Sequence, residues 1–251
     1  MKRGTFSVFQ HLNVRRLAMK CSISIAIAAF VSGFPAFAGT IVGNVHAQGK
    51  TGTDADDSAS DGAYASRKYK FVPKVDYSAM HDFVVFIEGP MGTNTPAATN
   101  LVIVSTRRVA QHGAMFTPHV LPIAVGTTVE WPNDDDIYHN VFSMSDAKQF
   151  DLGLYKGNPP SKRVTFDKPG RVDVFCSIHE NMHCIILVLE NPYFASTDEN
   201  GNYKIPNVPP GTYELKAWQE RLPADEKEII VPTNGEVRTD FTLGIKNLPQ
   251  Y

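Results

Sequence analysis

Cysteine is scarce in this 251-residue chain, with only Cys21, Cys176 and Cys184 present. Cys21 falls in a stretch that reads as a removable leader, so the remaining two allow at most one bridge and exclude a multi-disulfide scaffold. Positive charge is also short: 24 Lys and Arg stand against 26 Asp and Glu. That balance argues against a nucleic-acid partner, whose phosphate backbone needs basic contacts. No stretch shows the sustained period of a long amphipathic helix. No unbroken apolar run is long enough to span a bilayer either. The nearest, SISIAIAAFVSGFPAFA, is interrupted by Ser24, Ser32, Gly33 and Pro35.

That run is preceded by Lys2, Arg3, Arg15, Arg16 and Lys20 and ends in Ala36-Phe37-Ala38. A basic start, an apolar middle and small residues at the end are the pattern of a secretory leader. Residues 1–38 are therefore predicted to be a signal peptide, with a cut after Ala47 as the alternative site and Met19 as an alternative start. The predicted location is the periplasm, with no membrane span after cleavage. Cys21 precedes the apolar run and is poorly placed for lipid attachment. Loss of the five leader cations moves the formal charge from -2 to -7, which suits a basic docking partner.

The hydrophobic fraction of 43% is enough for real cores. From Gly49 to Ser66 small and acidic residues dominate, and 39–75 reads as a flexible linker. Beyond it, short apolar segments recur: FVVFIEG from Phe83, LVIV from Leu101, VLPIAV from Val120, TTVEW from Thr127, HNVF from His139, RVTF from Arg163, RVDVFC from Arg171 and CIILVLE from Cys184. Turn formers such as Gly126, Pro132-Asn133 and Lys168-Pro169-Gly170 separate them. The fold class is predicted as all-β, with one sandwich over 76–190 and a smaller one over 191–251. In TYELKAW, strand alternation places Tyr213, Leu215 and Ala217 on one face and Glu214, Lys216 and Trp218 on the other. About sixty residues make only a small core, so the second sandwich is expected to pack against the first.

The chemistry concentrates in VFCSIHENMHCIILVLE. Cys176, His179 and Met182 recur every three residues just before an apolar strand, and His139 stands upstream in IYHNVF. A thiolate, two imidazoles and a thioether are the donor set of a blue copper site, because together they tolerate both cuprous and cupric ions. Zinc can also use one Cys and two His; the methionine and the export signal favour copper. Met182 has a second reading as core packing, and Cys176 a second reading as the disulfide partner of Cys184. His183 should point away from the metal if an extended strand resumes there. His112 and His119 flank GAMFTP and offer a lesser candidate for a second copper. The Asn140 amide is a candidate to tie the His139 strand to the backbone around Cys176. Asp134, Asp135 and Asp136 read as a solvated turn able to attract a cation or a basic protein.

With those residues in view, the segment from Phe83 to Glu190 resembles the cupredoxins, the plastocyanin and amicyanin superfamily. CSIHENM is similar to the short ligand loop of amicyanin, whereas plastocyanin and pseudoazurin have longer spacing before the Met. The resemblance implies a Greek-key β-sandwich holding one type 1 copper ion through His139, Cys176, His179 and axial Met182. It also matches Asn140 to the Asn after the first ligand His, and Phe116 with Pro118 to the segment leading toward the ligand-bearing strand. NPYFASTDENGNYKIPNVPPGTYELKAWQE is similar to carboxypeptidase-regulatory-like and transthyretin-like β-sandwiches. The whole resembles bacterial exported methylamine-utilisation or plastocyanin-like proteins. The implied function is single-electron transfer with cytochrome c or another periplasmic redox protein, without substrate conversion. Two alternatives stand beside it. One is copper storage or delivery; the other is an envelope binding module with a structural copper, in which Trp218, Tyr213 and Tyr203 line a carbohydrate or protein surface. The six histidines after the leader, leaving out His46, are too few for the additional copper sites of a multicopper oxidase or nitrite reductase.

Overall fold

The computed structural model describes residues 38–49, 76–90, 106–157 and 162–244. The predicted leader, apart from Ala38, lies outside the described residues, as do LVIV and most of the predicted linker. Among the described residues there are eighteen strands, one short 3-10 turn at Tyr77–Ala79 and no α-helix. In chain order the strands are β1 (Gly39–Gln48), β2 (Val84–Ile87), β3 (Thr106–Arg108), β4 (Ala110–His112), β5 (Met115–Thr117), β6 (Val120–Ala124), β7 (Thr128–Glu130), β8 (His139–Ser145) and β9 (Lys148–Tyr155). They continue with β10 (Arg163–Thr165), β11 (Gly170–Phe175), β12 (His183–Leu189), β13 (Phe194–Ser196), β14 (Asn202–Val208), β15 (Gly211–Gln219), β16 (Leu222–Val231), β17 (Glu236–Arg238) and β18 (Phe241–Gly244).

The first sandwich sets the sheet β6-β12-β11-β8-β9 against β10-β7-β3. Trp131, Phe116, Phe166, Val141, Val172, Val174, Ile186 and Val188 fill the space between. Trp131 meets Phe116 edge-on at 5.9 Å and Phe150 at 6.0 Å. In the second sandwich, β14-β1-β17, with β18 also on β1, faces β13-β2-β15-β16 across Ile41, Val45, Val85, Leu215, Ala217 and Phe241.

Two segments depart from the expected division. Gly39–Gln48 was expected to be linker, yet it forms β1, antiparallel to β14 and parallel to β17 and β18. Its alternate residues, including Ile41 and Val45, are buried, so the strand fills a place that 191–251 alone leaves open. Val84–Ile87, expected in the first sandwich, pairs instead with β13 and β15 of the second. Its unbroken apolar sequence follows from coverage on both faces: Val85 and Ile87 enter the second core, while Val84 and Phe86 face the seam between sandwiches.

The seam is a third apolar cluster. Val120, Ile185, Leu187 and Leu189 of the first sandwich meet Val84, Phe86, Phe194 and Trp218 of the second. β12 therefore has a purpose for every residue of CIILVL: Cys184, Ile186 and Val188 face the first core, and Ile185, Leu187 and Leu189 face the seam. The expected packing of the small sandwich on the large one is present. The expected faces of β15 are present too, with Leu215 and Ala217 inside and Tyr213 partly buried against the same core.

Ile41→Ala tests the reassignment of β1. Removing a fully buried Ile side chain is expected to cost about 2–5 kcal/mol in urea unfolding, whereas the same change in a linker would leave the midpoint unmoved.

Candidate metal centre

The end of the large sheet assembles the site. β11 runs antiparallel to both β8 and β12, with Phe175 opposite Phe142 and His183. The residue after β11, the first residue of β8 and the loop before β12 are thereby brought together: Cys176, His139 and the segment 177–182. The loop is closed by two backbone bonds, Met182 N–H to the His179 carbonyl at 3.1 Å and Cys176 N–H to the Met182 carbonyl at 3.2 Å. Three of the four predicted donors converge, with one ligand atom each from His139, Cys176 and His179 within 4.8 Å of one another. His139 Nδ1 lies 2.9 Å from His179 Nδ1, which lies 3.7 Å from Cys176 Sγ. With metal–nitrogen and metal–sulfur bonds near ~2.0 and ~2.3 Å, tetrahedral donors sit roughly 3.3 to 3.5 Å apart. The observed spacings bracket that range, so the donor set fits a single thiophilic ion. Met182 is buried in the same core cluster as Cys176.

Burial grades the donors. His139 is fully buried, Cys176 is 7% exposed, and His179 is only partly covered at the loop surface. The Asn140 backbone N–H donates to Cys176 Sγ at 3.4 Å, which holds the sulfur against the start of β8. The Asn140 amide does not tie the strand to Cys176 as expected; it donates to Asp151 Oδ1 at 2.7 Å in β9. Its tie is made by the main chain, while its side chain pins the neighbouring strand. The Gly153 N–H and that amide hold the Asp151 carboxyl below its ordinary pKa.

Asp135 departs from the reading as a solvated turn. Its Oδ2 lies 2.8 Å from His139 Nε2, and it accepts from the Gly113 and Ala114 N–H groups at 2.7 and 2.9 Å. The Ala114 amide first, then His139, bring its pKa down to about 2 against the opposing effect of burial. A carboxylate can only accept, so His139 Nε2 carries the proton and Nδ1 presents its lone pair toward Cys176 and His179. The neighbours are also engaged, Asp134 with Arg108 and Asp136 with Lys156. Nothing in the sequence separated Asp135 from its two acidic neighbours.

A buried polar network holds the approach to His139. Tyr155 Oη donates to the Trp131 carbonyl at 2.7 Å and meets Gln111 Nε2 at 2.5 Å. Burial pushes the Tyr155 phenol up to about 12. Asn133 Nδ2 donates to the Ile137 and Tyr155 carbonyls at 2.9 and 3.1 Å, and Tyr155 is paired with His139 across β8 and β9.

Other predicted features separate from the centre. Cys184 and Cys176 are both free. Cys184 faces the apolar core opposite Val174, where burial pushes its thiol well above the usual range. His183 points away as expected: it bonds Asp173 at 3.0 Å and stacks on Phe175. His112 and His119 do not share a site. His112 lies 3.7 Å from Asp135, while His119 gathers with His183 and Glu220. The three aromatics proposed as a binding surface also part company. Tyr203 is buried and donates to the Thr239 carbonyl at 2.6 Å, Tyr213 packs on the second core, and Trp218 lines the seam beneath Arg171.

Among the described residues the architecture is all-β, with two sheets closed on an apolar core and the donors at one end, the β-sandwich expected from the sequence. Among solved structures, the chain is similar to a copper-containing nitrite reductase from Thermus scotoductus, at 31% identity over 41% of this chain and 26% of that one, with a TM-score of 0.32. The chain thus spans about a quarter of that enzyme. It is similar to a purple cupredoxin from Nitrosopumilus maritimus at 25% identity, over 33% of this chain and 98% of that one, with a TM-score of 0.28. A reduced amicyanin mutant matches at 20% identity over 41% of this chain and 97% of its own, with a TM-score of 0.30. No curated protein matches. Residues 190–239 match the family model for domain II of polysaccharide lyase family 4, an fn3-type domain, where the sequence had pointed to carboxypeptidase-regulatory-like or transthyretin-like modules.

Proposed function

We propose that the chain is an exported type 1 copper protein that passes single electrons between redox partners. The observation that carries this reading is the convergence of His139 Nδ1, His179 Nδ1 and Cys176 Sγ at the buried end of the first sandwich. His139, Cys176 and His179 would hold the ion, with the Met182 thioether as a fourth donor. Copper bound there supplies a one-electron couple. The chain's own part is to hold the donors still. β8 fixes His139, Asp135 sets its tautomer, the Asn140 N–H holds the Cys176 sulfur, and the two bonds within the 176–182 loop fix its shape. Donors held this way need little rearrangement when charge changes, which favours electron transfer over substrate conversion.

His179 is the donor nearest the surface. Ile178 beside it is 50% exposed, and exposed Ile137 and Tyr138 precede His139. Exposed apolar side chains next to the donors in sequence give a partner an apolar contact, and the acidic charge of the mature chain suits a basic one such as a c-type cytochrome. Export follows from the leader pattern. A cut after Ala38 leaves β1 whole, whereas a cut after Ala47 would remove all of it except Gln48, so the first position fits the fold. Among the described residues no helix is long and apolar enough to cross a membrane.

Stopped-flow mixing of the copper-loaded protein with reduced cytochrome c tests the reading. Rapid oxidation of the cytochrome by one electron per copper, repeatable after reoxidation, is expected. A redox-inert ion, or one released to a chelating partner without electron exchange, would move storage or delivery to the front.

A further inference from the structure

His119, His183 and Glu220 come from three separate places: the link between β5 and β6, the start of β12, and the two-residue turn between β15 and β16. One ligand atom from each lies within 4.8 Å of the others. The first two belong to the large sandwich and the third to the small one. We propose that these residues form a second metal site, taking a divalent transition ion such as zinc or cupric ion, that ties the two sandwiches together.

The hydrogen bonds around the cluster argue for metal donors. His119 Nδ1 lies 3.2 Å from the His183 carbonyl, and its Nε2 lies 2.5 Å from Glu220 Oε2. Both neighbours are acceptors, yet a neutral imidazole has one N–H to give. With Nδ1–H donated to the carbonyl, the Nε2 lone pair faces the Glu220 carboxylate. At 2.5 Å only a proton fits between the two atoms; a metal ion would replace that proton, with the two side chains moving apart to share it. His183 is arranged in the same way: its Nε2 is 3.0 Å from Asp173 Oδ1, so that nitrogen carries the proton and Nδ1 keeps the lone pair. An outer carboxylate or carbonyl fixing the far nitrogen of each ring is the usual support of metal-bound histidines.

Two imidazoles and one carboxylate suit zinc or cupric ion, and a fourth position can be filled by water. The side chains of His119, Glu220 and His183 are 37%, 16% and 24% exposed, which leaves a way in for ion and water. The rings are also restrained, His183 by stacking on Phe175 at 4.8 Å and His119 edge-on to His183 at 5.5 Å. Arg171 pairs with Asp173 and Arg221 lies 3.6 Å from Glu220, so the surrounding charge is close to balanced. The site shares no donor with the Cys176 centre.

The test is metal stoichiometry by mass spectrometry on the full mature chain, equilibrated with excess zinc in one arm and cupric ion in the other, then freed of unbound metal. Wild type, Cys176→Ser, His119→Gln and Glu220→Gln are compared, with circular dichroism to confirm folding. The expected result is two equivalents in wild type. His119→Gln and Glu220→Gln should each lose one, with at least tenfold weaker binding at that step, while keeping the thiolate-to-copper absorption. The metal-induced rise in Tm should be smaller in both. Because Glu220 sits in a surface turn, its variant gives a readout even if His119→Gln fails to fold. A single cupric equivalent in wild type that carries the thiolate absorption, or metal binding that is undiminished in both His119→Gln and Glu220→Gln, overturns the proposal and leaves His119 and Glu220 as an ion pair. Failure of the Cys176 centre would appear separately, as absent thiolate absorption.

Discussion

Cys176→Ser is expected to fold normally and to lose the intense visible thiolate-to-copper absorption completely, with cupric affinity falling by more than the roughly 10–100-fold typical of losing an outer partner of a metal ligand. The loss is chemical rather than steric. Ser occupies nearly the same space and can still accept the Asn140 N–H that now meets the sulfur, so the pocket keeps its shape. A hydroxyl neither ionises at neutral pH nor supplies the soft donor that stabilises the cuprous state. Only His139 and His179 would remain as strong donors, and two imidazoles bind cupric ion as an ordinary weakly coloured complex. Absorption spectroscopy during cupric titration, with circular dichroism as the folding control, measures the effect. Retention of the band in the variant would remove Cys176 from the centre.

The second large effect is expected at Asp135, which no spacing rule picked out. Asp135→Asn keeps an oxygen able to accept from Gly113 or Ala114, but it offers an amide NH2 where the carboxylate met His139 Nε2. An NH2 group donates, so Nε2 must become the acceptor and the ring proton moves to Nδ1. Nδ1 is the atom that faces His179, and a protonated nitrogen cannot bind a metal. The wrong tautomer is then enforced by the same hydrogen bond that formerly enforced the right one, a logic known from the Asp-to-Asn change in serine-protease triads. Cupric affinity is expected to fall 10–100-fold, with the thiolate band retained at saturation because Cys176 is untouched. Competition against a chelator of known affinity measures it. An affinity within threefold of wild type would mean that Asp135 does not set the tautomer.

The parts of this molecule that were legible in the sequence are the local ones. Cys176, His179 and Met182 lie within seven residues, so their spacing alone places them on one loop, and the strand after it could be read from its apolar run. β6, β7, β8, β10, β11 and β12 were legible for the same reason, each being a short apolar segment between turn formers. β9 was not, because it is the edge of its sheet and four of its eight residues are exposed, with only Tyr155 buried. β1 was hidden by distance: its partners β14, β17 and β18 lie more than 150 residues downstream, and its neighbour in sequence is a stretch of small and acidic residues. β2 was legible as a strand but assigned to the wrong sandwich, since chain order placed it beside β6 while its hydrogen bonds go to β13 and β15. Consecutive elements are usually neighbours; this strand is not. The outer partners Asp135, Asp151 and Asp173 carry no sequence signal at all. Their roles depend on which of many similar carboxylates the fold turns inward.

X-ray absorption at the copper edge of the protein loaded with one equivalent tests the proposed centre most directly. The proposed centre requires one short sulfur neighbour and two imidazole nitrogens, with the sulfur lost in Cys176→Ser and one imidazole lost in His139→Ala. Copper surrounded by nitrogen and oxygen alone in the folded, reduced wild-type protein would contradict it.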